Sequence, residues 1–161
     1  MNLKTADFCD ADPTARACAC SFLSWGRARA FAGSIRTVRS DGDIGLIRQT
    51  LGESGAGCVL VIDGGGVLSR ALFGDRMAEA AVRNGWAGVV VHGAVRDVAE
   101  IDGMALGVKA LGAFPLRGTL GDGGQVDQPV HFGGIDFVPG QWLVADDDGV
   151  IVLPAAPSTA A

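Results

Sequence analysis

The sequence predicts an α/β domain in which a small parallel layer is joined to a run of antiparallel strands. Two apolar runs of strand length, 58–62 and 88–95, flank a stretch with helical spacing, the order of a strand–helix–strand unit. The last third carries short alternating or apolar runs separated by turn-forming residues, the pattern of an antiparallel meander. Glycine supplies 25 of the 161 residues without a triplet period, so it punctuates short elements rather than building a fibre.

Residues 29–38, with Ile35, Thr37 and Val38, are expected to form the first strand, after an N-terminal helix. Ile44, Ile47 and Leu51 recur at helical spacing, and Gly52 ends that helix in the manner of a C-cap. The buried strand 58–62 halts at Asp63-Gly64-Gly65-Gly66, and 67–75 reads as a connector. Met77, Ala78, Ala81 and Val82 define an amphipathic helix that stops at Asn84-Gly85. The strand 88–95 runs parallel to the first buried strand because a helix intervenes, and its C-terminal end delivers Arg96 and Asp97 where α/β sheets bind ligands. Beyond it, 107–116 predicts another strand and 118–124 a mobile, Gly-rich loop. Strands at 126–132, 135–138, 141–145 and 149–153 follow, divided by Gly133-Gly134, Pro139-Gly140 and Asp146-Asp147-Asp148-Gly149. The Ala/Pro-rich tail 154–161 is expected to fray. With no internal repeat or linker, 1–161 reads as one domain.

Composition excludes several classes of function. Hydrophobic residues make up 48% and charged residues 19%, which gives ample core and excludes a disordered chain. Thirteen basic against eighteen acidic residues leave a net charge of -5, the wrong sign for a protein whose main ligand is a nucleic-acid backbone. The longest apolar runs are far shorter than the roughly 20 residues that cross a bilayer, and the N-terminus turns acidic at Asp7 without a signal-like apolar stretch. A cytoplasmic protein free of membrane is expected. Its four cysteines are then expected to be thiols, and Cys18-Ala19-Cys20 lacks the gap of a zinc knuckle, so packing accounts for it better than a soft metal.

One constellation carries chemistry. Asp75 falls at the start of a helix, where its side chain can cap, and the backbone N–H groups of Arg76 and Met77 are expected to point outward at the positive end of the helix dipole. Such an end attracts carboxylates. Twenty residues separate Asp75 from Arg96, enough for one helix and one strand to return the chain to the same sheet edge, so Gly74-Asp75-Arg76-Met77 and Arg96-Asp97 are expected to meet. Arg holds a carboxylate bidentately and Asp holds a hard cation, which suits a small 2-oxo acid chelated to Mg²⁺ or Mn²⁺. Spacing alone leaves Asp75 as a plain cap and Arg96-Asp97 as a surface pair also open. Asp63-Gly64-Gly65-Gly66 lacks the Lys-Ser/Thr of a phosphate loop, so close backbone approach explains its glycines better. His92, inside a Val-rich run, fits a hydrogen-bonded strand residue better than a catalytic base, and Asp146-Asp147-Asp148-Gly149 fits a hairpin turn better than a Ca²⁺ loop.

The segments Val59-Leu60-Val61-Ile62-Asp63-Gly64-Gly65-Gly66, Arg70-Ala71-Leu72-Phe73-Gly74-Asp75, Asn84-Gly85-Trp86-Ala87-Gly88, His92-Gly93-Ala94-Val95-Arg96-Asp97, Gly107-Val108-Lys109-Ala110-Leu111-Gly112 and Phe132-Gly133-Gly134 resemble the family of regulator of ribonuclease activity A. The resemblance spans nearly the whole chain. That family includes 4-hydroxy-4-methyl-2-oxoglutarate aldolases, metal-dependent enzymes whose pattern of an Asp, twenty residues and an Arg-Asp is matched here by Asp75, Arg96 and Asp97. The resemblance implies a three-layer β/β/α swivelling-domain fold, a homotrimer with sites near subunit boundaries, and a divalent metal.

It further implies Asp97 as metal ligand, Arg96 on the substrate carboxylate and oxo oxygen, the backbone of Gly74, Asp75, Arg76 and Met77 along the substrate, and Asp75 as the residue that orients water. The implied reactions are retro-aldol cleavage of 4-hydroxy-4-methyl-2-oxoglutarate to two pyruvates and decarboxylation of oxaloacetate. The alternative it implies is a non-catalytic regulator that binds ribonuclease E. Some relatives of that kind replace the Asp after the Arg with a neutral residue, and Asp97 is retained here. A menaquinone methyltransferase label has also been attached to the family, and the sequence has no convincing S-adenosylmethionine loop.

Overall fold

The computed structural model describes residues 2–158. In chain order its elements are α1 (Thr5–Ala11), β1 (Arg16–Ala17), β2 (Leu23–Trp25), β3 (Phe31–Arg39), α2 (Gly45–Leu51), β4 (Val59–Asp63), β5 (Ala71–Phe73), α3 (Asp75–Arg83), β6 (Gly88–Val95), α4 (Val98–Asp102), β7 (Gly107–Ala113), β8 (Gln125–Val126), β9 (Val130–Phe132), β10 (Ile135–Phe137), β11 (Trp142–Asp146) and β12 (Gly149–Leu153). A curled sheet runs in the order β1-β12-β11-β3-β4-β6-β7-β2, with β5 added beside β6 and β8 beside β3. Its centre is parallel, β3 to β4 to β6 to β7, and its flanks are antiparallel. The mixed α/β class is as expected, and the parallel pairing of β4 with β6 follows from the helix between them.

Alternation within the central strands sorts the core into layers. Leu60 and Ile62 of β4 pack with Val89, Val91 and Val95 of β6 against Ile47 and Leu51 of α2 and Ala78 and Ala81 of α3. Val59, Val61 and Val90 face the other way, onto Phe132, Phe137, Leu143 and Val152 from the antiparallel segments. Helices thus cover one face and β-structure the other, which is why β4 and β6 read as continuous apolar runs. Gly88 makes room for this packing, since a Cβ there would lie 2.3 Å from the Phe31 ring.

Several boundaries depart from expectation. The connector 67–75 contains β5, whose three residues are too few to announce a strand. The strand expected first, at 29–38, is Phe31–Arg39 and stands third, because β1 and β2, of two and three residues, are too short to announce themselves; the strand after β6 ends at Ala113. The run 126–132 is broken by Asp127 at φ 57, which separates β8 from β9. The segment 118–124, expected to be mobile, is tied down: Ile44 N–H donates to Thr119 O, Gly45 N–H to Gly121 O and Gly123 N–H to the Asp43 carboxylate, which also accepts from the Thr119 hydroxyl. Of the tail expected to fray, 154–158 carry no helix or strand and 159–161 lie outside the described residues.

Candidate active site

β5 lies parallel to β6, pairing Phe73 with Val95, so both strands release the chain at one edge of the sheet. α3 starts there immediately after Gly74, and α4 starts after Asp97. Arg96 N–H donates to Phe73 O at 2.9 Å, which fastens the two exits together. The expected meeting of Gly74-Asp75-Arg76-Met77 with Arg96-Asp97 is therefore observed.

The capping differs from expectation. Gly74, not Asp75, is the N-cap of α3, and Asp75 is the first helical residue. The carboxylate of Asp97 serves the helix instead, accepting from Asp75 N–H at 3.3 Å, while Arg76 N–H donates to the Asp75 carboxylate at 2.8 Å. Asp75 and Arg76 N–H are thus not free to face a ligand. Met77 N–H still precedes the first i→i−4 bond of the helix, from Ala78 N–H to Gly74 O. Glycine at 74 leaves room for this arrangement, since a Cβ there would lie 2.9 Å from Asp97 Oδ2 and push the carboxylate aside.

Asp97 occupies the left-handed region, φ 59 and ψ 38, a conformation Asp tolerates better than most residues but that still carries strain. In this conformation its carbonyl accepts from Ile101 N–H while its carboxylate turns back to α3. Arg96 Nε stands 3.8 Å from Asp97 Oδ2 and Arg96 Nη1 donates to Pro115 O at 3.3 Å. Both side chains keep more than a third of their surface exposed, 38% and 37%.

These groups open onto a cavity of about 460 Å³, lined by Gly74, Asp75, Arg76, Met77, Arg96 and Asp97 together with Ile44, Arg48, Ala71, Leu72, Phe73 and Arg117. Four guanidinium side chains and two carboxylates line it in a chain of net charge -5, so the local sign is the reverse of the global one. Arg48 and Arg117 carry no signal in the sequence, because only the docking of α2 and of the segment after β7 brings them here.

Among the described residues no cluster of three or more His, Cys, Asp or Glu side chains could hold a metal. Asp97 and Asp75 beside open space nonetheless fit a hard cation of the Mg²⁺ type, which keeps several waters and takes one or two carboxylates. They do not resemble the nitrogen and sulfur set of a structural zinc site.

The other residues singled out in the sequence lie elsewhere. His92 Nδ1 is 2.9 Å from Asp63 Oδ1 and its ring stacks on Phe132 at 4.3 Å, so it is a packed strand residue. In the glycine run, Gly64 and Gly66 N–H both donate to His92 O, and a Cβ at Gly64 would meet Leu72 at 2.4 Å, the close approach expected. Asp147 and Asp148 turn the β11–β12 hairpin. Cys18 is pressed against Gly133 beside Cys20, and burial with the neighbouring thiol pushes its pKa up to about 12.

Comparison with known proteins places the chain in a family. Residues 5–152 match the RraA-like family model, described as Aldolase/RraA. A protein of Xanthomonas campestris pv. campestris named as a putative 4-hydroxy-4-methyl-2-oxoglutarate aldolase is 48% identical over 155 residues, 96% of this chain and 93% of the relative. The structure of the RNA-processing inhibitor RraA from Thermus thermophilus superposes with a TM-score of 0.95 at 44% identity, covering 99% of this chain and 98% of that one. A Geobacillus kaustophilus structure described as an S-adenosylmethionine:2-dimethylmenaquinone methyltransferase gives 0.94 at 41% identity, covering 96% of both chains. Family model, sequence relatives and fold agree: the chain belongs to the RraA-like family.

Proposed function

We propose that this protein is a divalent-metal-dependent lyase that cleaves 4-hydroxy-4-methyl-2-oxoglutarate to two pyruvates and decarboxylates oxaloacetate, both through pyruvate enolate. The observation that carries the reading is the convergence of Arg96, Asp97 and the start of α3 on one open, positively charged cavity. The aldolase name borne by the Xanthomonas relative supports it.

In this reading the planar fork of Arg96 holds the C1 carboxylate and the 2-oxo oxygen, with Met77 N–H adding a donor at the helix terminus. Asp75 orients a water that takes the proton from the 4-hydroxyl group. The C3–C4 bond then breaks, its electron pair passes into the enolate of one pyruvate, and C4 becomes the carbonyl of the other. The same water returns a proton to the enolate. From oxaloacetate the broken bond releases carbon dioxide and leaves the same enolate. Asp97, with Asp75 near it, would hold Mg²⁺ or Mn²⁺, which when bound supplies a Lewis acid for the 2-oxo group. Coupled measurement of pyruvate release tests the proposal: release from both substrates that depends on added Mg²⁺ is expected, and its absence from both would overturn it.

Membership of the RraA-like family supports a homotrimer with the cavity near a subunit boundary, and the half-exposed Val67, Leu68, Leu116 and Leu120 leave apolar surface for such an interface. Light scattering after gel filtration should give three times the chain mass, and a monomeric mass at micromolar concentration would refute it. The RNA-processing inhibitor described from Thermus thermophilus supports a second role for this chain, inhibition of RNA processing, with ribonuclease E as the partner to test. Slower RNA cleavage by that enzyme in the presence of this protein would reveal it. No helix among the described residues is long and apolar enough to cross a membrane.

A further inference from the structure

Two thiols meet in the layer away from α2 and α3, outside the cavity. Cys18 and Cys20 follow β1, and Ala19 between them is exposed. Cys18 N–H donates to Val150 O at 2.9 Å, which carries the β1–β12 ladder one residue further, and Ala19 N–H donates to Gly133 O at 2.8 Å. Residues two apart on such an extended segment turn their side chains to the same side. Gly133, in the β9–β10 turn at φ 60, shows how closely these two approach: a Cβ there would lie 2.4 Å from Cys18 Sγ and 3.0 Å from Cys20 Sγ. Both sulphurs thus crowd the space that the glycine leaves bare. Both are free thiols with part of their surface open, so a small reagent can reach them. The other two cysteines stand apart, Cys9 on α1 and Cys58 packed in the helical layer.

We propose that Cys18 and Cys20 are a reversible modification site, closing a disulfide across Ala19 by exchange with a low-molecular-weight disulfide of the glutathione type. Burial, and after it the neighbouring Cys20, hold the Cys18 thiol in its protonated form, so Cys20 opens the exchange. Its thiolate attacks one sulphur of the reagent, whose S–S bond breaks and releases one glutathione thiolate. Cys18 then gives its proton to solvent and attacks Cys20 Sγ, which forms the protein disulfide and releases the second thiolate. The protein loses two electrons and two protons, and the reagent becomes two molecules of reduced thiol. Closing so small a ring removes little entropy from the unfolded chain, so the bond is readily reduced again.

Equilibration of the full chain in buffers of oxidised and reduced glutathione, followed by blocking of free thiols with N-ethylmaleimide, reads the site without any assay of catalysis. Trypsin cutting after Arg16 and Arg27 releases residues 17–27, which hold Cys18 and Cys20 and no other cysteine. From the folded wild-type protein this peptide is expected to lack two hydrogen atoms and to carry no maleimide, and excess reduced glutathione should restore both thiols. The equilibrium constant for closure should be at least about tenfold larger in the folded protein than in urea, because the fold already brings the sulphurs together. In Cys18→Ser a glutathione adduct should persist on Cys20, with circular dichroism confirming the fold. A wild-type peptide that keeps both thiols, one that retains glutathione, or closure equally favourable in urea would overturn the proposal. These wild-type measurements decide it even where the variant fails to fold.

Discussion

Two acid–base pairs draw on the last residues of β6 and the two beyond it, and they meet opposite fates. His92 reaches back to Asp63 and is closed over by the Phe132 ring, leaving side-chain exposures of only 19% and 15%. Arg96 and Asp97, four and five residues on, emerge past the strand where β5 and α3 leave a gap, and more than a third of each stays open. The difference lies in what covers each face of the sheet. Phe132 of the β9–β10 hairpin covers the His92 ring, whereas Arg96 and Asp97 open onto the cavity beside the start of α3. An acid–base pair inside the sheet thus becomes packing and one just past its edge lines a cavity, and exposure rather than residue type separates them.

The comparison breaks most sharply at Asp97. Asp97→Asn keeps the left-handed conformation and an acceptor for Asp75 N–H, so the melting temperature should move by only a few degrees, about the effect of 1 kcal/mol. Both pyruvate-forming rates should fall together by about a hundredfold or more, since the charge a hard cation needs is gone. Loss of one rate alone would separate the two reactions. Arg96→Lys comes next: the charge remains but the fork is lost, and kcat/KM should drop by at least roughly tenfold, 1.4 kcal/mol or more. Wild-type kinetics would remove Arg96 from the site.

A closed cluster elsewhere sharpens the contrast through stability. Lys109 is buried, donating to the Ser24 hydroxyl and the Asp146 carbonyl, and the Asp146 carboxylate accepts Thr5 N–H and Oγ1–H at 2.8 Å. Asp146→Asn should cost about 1–3 kcal/mol by loosening α1 while leaving pyruvate release near wild type. Burial alone would push the Asp146 carboxyl up, but the donors from Thr5, Asp148 and Gly149 outweigh it and hold its pKa below the ordinary 3.8. A depressed folded pKa means that this contribution is complete above the ordinary value and is lost as pH falls below it. Thermal melts from pH 5 to pH 2 should therefore converge for the wild-type and Asp146→Asn proteins at the acid end. The smallest effect is expected at His92: His92→Phe preserves the ring stack, and kcat/KM should stay within about threefold while stability falls by about 1 kcal/mol.

What the sequence made legible was whatever depends on local pattern. The runs of β4 and β6, buried on both faces, and the spacing of Met77, Ala78 and Ala81 announced a strand–helix–strand unit, and that unit alone brings Asp75 to Arg96. The missing parts depend on distant chain. β5 is only three residues long and exists because β6 lies beside it. Asp75 looked like a cap because it stands at a helix start, yet the capping carboxylate comes from Asp97, 22 residues away. Asp43, remote in sequence, pins the segment 118–124 that its glycines suggested was loose. Arg48 sits on the solvent face of a helix, where nothing local distinguishes a site residue from a solubilising one.

In the proposed function Arg96 and Asp97 stabilise pyruvate enolate in the open cavity, while His92 and Asp63 serve the fold. Exchange of the pyruvate methyl protons with deuterated solvent, followed by NMR in the presence of Mg²⁺, reads enolate formation directly. Exchange is expected with the wild-type and His92→Phe proteins, and in Asp97→Asn it should slow by about a hundredfold or more. Exchange that survives in Asp97→Asn, or vanishes in a folded His92→Phe protein, would contradict it.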